Sequence, residues 1–209
     1  HEAGHALCAW LEPKADPLTR VSIVPRGRSG GVTMFEANED RIDISESELK
    51  AKLVVAMGGR AADQLVFGEP MSGAIQDLKQ ATRLARLMVM QFGMSERVGP
   101  VSYRGAGEEH VFLGKEIHEG RDFSEGTARI IDEEIQRIIT EAQNRARTIL
   151  VENRDDLDRL AQALLANEEL DRDEVQRLLN RPPATTPPGS ISVNVDETGS
   201  PNFPPAGLK

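Results

Sequence analysis

A chain of 209 residues is long enough for one sizeable domain or two small ones, and its core need not depend on staples. The single cysteine, Cys8, excludes an internal disulfide framework and fits a reducing compartment. A formal charge of −9, with no basic patch or aromatic-interleaved basic stripe, argues against nucleic acid as a partner, and no apolar run approaches the ~20 residues that cross a bilayer.

Residues 1–11 (HEAGHALCAWL) read as a helix stopped by Pro13 and Pro17. Two short runs follow, Val21 to Val24 and Gly31 to Phe35, which a Gly-rich loop joins into a hairpin. A Ser45-x-x-Glu48 capping box starts a helix that runs to about Phe67. Its interior Gly58-Gly59 costs about 1 kcal/mol per glycine relative to Ala, so close packing against another backbone is the expected compensation. The next helix spans about Ala74 to Phe92, with Gly93 placed to cap it. After a long polar loop, Ser124 introduces the longest helix, whose Ile131, Ile135, Ile138, Ala142, Ala146 and Ile149 form one apolar stripe. Shorter amphipathic helices are expected near 155–166 and 171–180, the second capped by Asp171. From Arg181 to the end, prolines among Ser, Thr, Gly and Asn predict a disordered tail, so the expected domain is 1–180 and the tail 181–209.

The chemistry is concentrated in His1-Glu2-Ala3-Gly4-His5. Residues i and i+4 of a helix stack one turn apart on the same face, so both imidazoles can reach one ion. Zn²⁺ favours imidazole nitrogen and takes four ligands; two histidines, a further protein ligand and a water complete a catalytic site. Glu2 points about 100° around the helix from His1, which suits a base rather than a ligand. The chain begins on this candidate ligand, where a helix leaves its N–H groups unpaired and frays. The expectation is therefore an N-terminally truncated piece of a longer protein.

The third ligand is not fixed by the motif. An elongated HExxHxxGxxH would need glycine at position 8 and histidine at position 11, where the chain has Cys8 and Leu11. Cys8 reads as a small buried hydrophobe. His110 and His118, in the segment GEEHVFLGKEIHEG, read as exposed and non-ligating. Asp77 falls in the first turn of a helix, where the dipole already favours an acid. Spacing alone leaves its capping and ligand readings equal.

HEAGHALCAWL, IVPRGRSGGVTM, MGGRAADQLVFGE, SGAIQDLKQATRLARLMVMQFGMSERVGPVSY and FSEGTARIIDEEI, in that order, together resemble the peptidase domain of FtsH-type AAA+ zinc proteases from His1 to about Asn180. The resemblance implies a mainly α, helical zincin-type peptidase domain with a small β-hairpin and edge strand beside the active-site helix. It implies one Zn²⁺ per chain on His1, His5 and Asp77, and Glu2 as catalytic glutamate. Gln76 stands where the family often has Asn, and Val32 where it usually has Tyr; neither change touches the metal ligands.

The implied reaction is hydrolysis of unfolded or misfolded polypeptides, Glu2 taking the proton of the attacking water and passing it to the leaving amine. Gly31, Val32 and Thr33 resemble the start of the family's substrate-binding edge strand, which an extended peptide can join by main-chain hydrogen bonds; the competing reading is an ordinary hairpin covering a helix. The family joins this domain to an AAA+ ATPase and a membrane anchor, as a homohexamer at the cytoplasmic face of the bacterial inner membrane. ATP itself is not expected to bind here, since Gly114-Lys115 is followed by Glu116 and lacks the upstream glycine of a phosphate-binding loop. The alternatives are another HExxH metallohydrolase and a catalytically silent assembly platform.

Overall fold

The computed structural model describes residues 1–25, 30–36, 43–103 and 122–184. The first helix, α1 (Glu2–Leu11), is built from Ala, Leu and Trp and is buried on every side from Ala3 to Trp10, as an all-round apolar helix must be. It ends at Glu12, which precedes Pro13 and takes the extended conformation that a following proline imposes (φ −82°, ψ 118°).

Against α1 lies α2 (Glu46–Phe67), opened by the expected capping box between Ser45 and Glu48. The two helices cross backbone to backbone. A Cβ on Gly4 would lie 2.5 Å from the Gly58 carbonyl oxygen, and one on Gly58 would lie 2.7 Å from that of Gly4. This is the close backbone packing anticipated for the glycine pair, but it holds for Gly58 alone; Gly59 instead faces the imidazoles of His1 and His5.

A 3₁₀ turn (Ser72–Ala74) leads into α3 (Ile75–Met90). Gly93 (φ 63°) then reverses the chain so that the Met94 N–H bonds to the Met88 carbonyl at 2.9 Å. The longest helix, α4 (Glu125–Glu152), starts at Ser124, whose side chain accepts from the Thr127 N–H. Its buried stripe holds Ile131, Ile138, Ala142, Ala146 and Ile149, but Ile135 is only half-buried and Glu134, 1% exposed, lies inside instead. Helices α5 (Arg154–Asn167) and α6 (Arg172–Leu179) follow, the latter with a capping box between Asp171 and Glu174. The core thus runs between α1, α2, α3, α4 and α5, with α2 touching three of the others.

Three short strands, β1 (Leu18–Ser22), β2 (Val32–Phe35) and β3 (Glu169–Asp171), form an antiparallel sheet in the order β2-β1-β3. The hairpin is present, but its first strand lies earlier than the Val21-to-Val24 run. Pairing with β2 stops at Ser22↔Val32, and beyond it the Val24 N–H turns to the Ser22 hydroxyl at 3.1 Å. Strand β3, absent from the sequence expectation, is three residues long and too short to show a period. It leaves β2 as an edge strand.

The packed body continues past Leu179. Trp10 Nε1 donates to the Arg181 carbonyl at 3.2 Å, the Ala184 N–H donates to the Trp10 carbonyl at 2.8 Å, and the Arg181 guanidinium pairs with Asp156. The expected tail is therefore anchored over its first four residues, and the rest of it, 185–209, lies outside the described residues, as do His110 and His118.

Candidate metal centre

His1, at the N-cap of α1, and His5, one turn further on, turn their rings nearly perpendicular (81°) and bring their Nε2 atoms to 3.2 Å. Asp77, in the first turn of α3, meets them from a second helix, with Oδ2 3.1 Å from His1 Nε2 and Oδ1 3.6 Å from His5 Nε2. Among the described residues this is a group whose three ligand atoms all lie within 4.8 Å of one another.

The opposite ring nitrogens are held. His1 Nδ1 donates to Asp63 Oδ2 at 2.9 Å, and His5 Nδ1 donates to the Val55 carbonyl at 2.7 Å. The Gly59 N–H also lies 3.4 Å from His5 Nδ1, but a carbonyl can only accept, so the shorter bond places the proton on Nδ1. With both Nδ1 atoms donating, the Nε2 lone pairs are left for a common ligand. Val55, Gly59 and Asp63 recur every four residues and form one stripe of α2 beneath the two rings. The middle position cannot carry a side chain, since a Cβ there would lie 2.5 Å from His5 Nε2 and 2.6 Å from His1 Nε2.

Electrostatics favour a cation at this point. For the protein alone, the hydrogen bond to Asp77, opposed by burial and joined by Asp63, raises His1 to about 9. Burial works to raise Asp77, yet the bonds to His1 and His5 win and hold its carboxyl well below the usual carboxylate range. Two carboxylates around one imidazole concentrate negative potential at the nitrogens, and two imidazoles with one carboxylate are a donor set that zinc accepts. The residues present therefore fit the metal.

Glu2 stands beside His1 but outside the three-ligand group, and its Oε2 accepts from the Thr33 hydroxyl at 2.8 Å. It lines a cleft of about 1390 Å³ together with His1, His5, Asp77, Gly31 and Thr33. Val32 opens the edge strand and pairs with Ser22. Cys8 is fully buried against Gly58; burial, with a lesser contribution from Glu12, pushes its thiol up to about 12, as expected of an inert core residue.

The family model described as Peptidase family M41 matches residues 1–178. The chain belongs to peptidase family M41. Among its M41 relatives, an ATP-dependent zinc metalloprotease FtsH 4 from Sphaerobacter thermophilus is 52% identical over 88% of this chain and 28% of its own length. The ATP-dependent zinc metalloprotease FtsH of Nitrosococcus oceani is 51% identical over 85% of this chain and 28% of its own. That of Chloroflexus aggregans is 42% identical across 100% of this chain and 33% of its own. This M41 chain thus spans a minor part of the curated relatives it matches.

Sequence reasoning missed Asp63 and the Val55 carbonyl, and expected backbone rather than imidazole against Gly59. The signal for Asp63 was faint: an acid four residues after a helical glycine.

Proposed function

We propose that this chain is the zinc metalloendopeptidase domain of an ATP-dependent protease acting on unfolded or misfolded polypeptides. The observation that supports it most is the convergence of His1 Nε2, His5 Nε2 and an Asp77 oxygen from two helices, with both imidazoles tethered from behind by Asp63 and Val55. In this reading those three residues hold one zinc ion. A zinc ion there would act as a Lewis acid, polarising the scissile carbonyl and making water more acidic.

The chain's own groups supply the remaining chemistry. Asp63 and the Val55 carbonyl keep the imidazoles in the tautomer that offers Nε2. Glu2, with Oε2 engaged by Thr33, takes the proton of the attacking water at Oε1 and delivers it to the leaving amine. An extended substrate adds to β2 through main-chain hydrogen bonds, an interaction almost indifferent to side chains, so selection is left to whatever delivers the polypeptide.

Delivery is assigned to an AAA+ ATPase in the same polypeptide, assembled as a homohexamer and anchored at the cytoplasmic face of the bacterial inner membrane. The support is the sequence resemblance and the relatives' designation as ATP-dependent. The anchor would lie elsewhere, since among the described residues no helix is long and apolar enough to cross a membrane.

Glu2→Gln in the full-length protein tests the reading. Casein degradation should be abolished while zinc content, measured by atomic absorption on the same preparation, stays at the parent's level. Retained proteolysis would remove Glu2 as the base, and a parent protein that binds no zinc would overturn the proposal as a whole.

A further inference from the structure

The edge strand meets Glu2 at two points. The Thr33 hydroxyl donates to Glu2 Oε2 at 2.8 Å. Gly31, just before β2, lies so close that a Cβ on it would sit 2.6 Å from Glu2 Cγ and 2.8 Å from Oε1. Alternate residues of an extended chain share a face, so positions 31 and 33 present the same side to α1. Glu2 therefore rests against the face of β2, and its bond to Thr33 does not use the main-chain groups of the open edge.

A glutamate needs such a seat. It has several rotatable bonds, and its terminal torsion is broad, so an untethered carboxylate samples many positions. We propose that Thr33 is a positioning residue for the base: its hydroxyl pins Glu2 Oε2, and the missing side chain at Gly31 leaves the space that Oε1 needs. A hydroxyl has one proton to give, and giving it to Oε2 leaves Oε1 as the oxygen that receives the proton of the attacking water. Thr33 is fixed in turn by its pairing with Val21 in β1. One small sheet then sets both the height of the base and the line along which a peptide docks, so docking on β2 delivers the scissile bond at a constant distance from Glu2. This inference rests on Glu2 being the base, as proposed above.

The test compares Thr33→Val, which keeps the β-branched shape and loses the donor, with Thr33→Ser, which restores the donor. Both are made in the full-length protein and assayed with ATP and zinc on casein and on a short peptide. Thr33→Val should lower kcat about ten- to a hundredfold, the worth of one hydrogen bond to a charged group. KM and zinc content should stay near the parent's, and Thr33→Ser should recover most of the rate. A crystal structure of Thr33→Val should show the Glu2 carboxylate displaced or spread over several rotamers. If valine at this position prevents folding, Thr33→Ala against Thr33→Ser carries the same comparison. A parent-like kcat in Thr33→Val, a loss that serine does not rescue, or a raised KM at unchanged kcat would each overturn the positioning role. Glu2→Gln run alongside separates the two ideas. If it retains proteolysis, the assignment of the base fails; if it is inactive while Thr33→Val matches the parent, only the role of Thr33 fails.

Discussion

Asp63 and Asp77 grip one imidazole from opposite nitrogens, at 2.9 Å and 3.1 Å. Their substitutions should separate by what each removes. Asp77→Ala deletes a proposed ligand, and zinc affinity in a chelator titration should fall most in that variant. Asp63→Asn keeps an acceptor for the His1 Nδ1–H but removes the charge behind it, and should weaken zinc about tenfold. Parent-like affinity in Asp77→Ala would take that residue out of the site, and a larger loss in Asp63→Asn would reverse the two roles. The contrast also marks what could be read in advance. His1, Glu2 and His5 are local, because helical spacing alone puts them together. Asp77 needed family resemblance to be preferred over its capping reading. Asp63 was not legible, since its partnership exists only where α2 crosses α1, and no spacing within α2 announces that crossing.

At the scale of elements, α4 carries an acid where its apolar stripe runs. Glu134 accepts from the Ser95 hydroxyl at 2.7 Å and from Arg137 at 2.9 Å and 3.0 Å, and Arg97 approaches to 3.4 Å. It ties the segment after α3 to α4 and so steadies the helix that presents Asp77. The Arg137 guanidinium first, then Ser95, hold its carboxyl down to about 2 against the opposing effect of burial, from an ordinary value of 4.5. A depressed carboxylate stabilises the fold above its unfolded value, and that contribution drains away as pH falls from about 4.5 toward about 2. Roughly 2 kcal/mol should be lost across that window, a figure discounted because both guanidinium groups are substantially exposed. Melting temperatures of the parent and Glu134→Gln over this range test it: the parent should fall more steeply with acid, and parallel curves would refute the role. Helix periodicity found α4 correctly but could not admit Glu134, because two of its partners, Ser95 and Arg97, come from a loop more than 30 residues away. The shifted β1 and the missed β3 have the same origin, as their limits are set by cross-strand partners.

For the whole molecule, the segment Arg181–Ala184 closes the body against the end of α1 and the start of α5. Ending the chain after Ala184 should change the melting temperature little, because the Pro-, Ser- and Gly-rich remainder has a composition poor in core-forming residues. Ending it after Asn180 removes both hydrogen bonds to Trp10 and the Arg181 partner of the buried Asp156, and should lower the melting temperature by several degrees. Equal melting of the two truncations would show that the strap contributes nothing. Composition marks a change of character near Arg181, but does not announce the few residues that bond back to a tryptophan at the other end of the chain.

His1 and Asp77 are separated by 76 positions along the polypeptide and meet only because α2 lies between their helices. A half-synthesised or locally melted chain carries the HExxH sequence yet lacks the third donor, the tethered imidazoles and the seated glutamate. On the function proposed above, hydrolytic competence would then arrive only with completed folding. Under that reading, no peptide-cutting activity would accompany the chain while it is being made, or when it begins to unfold.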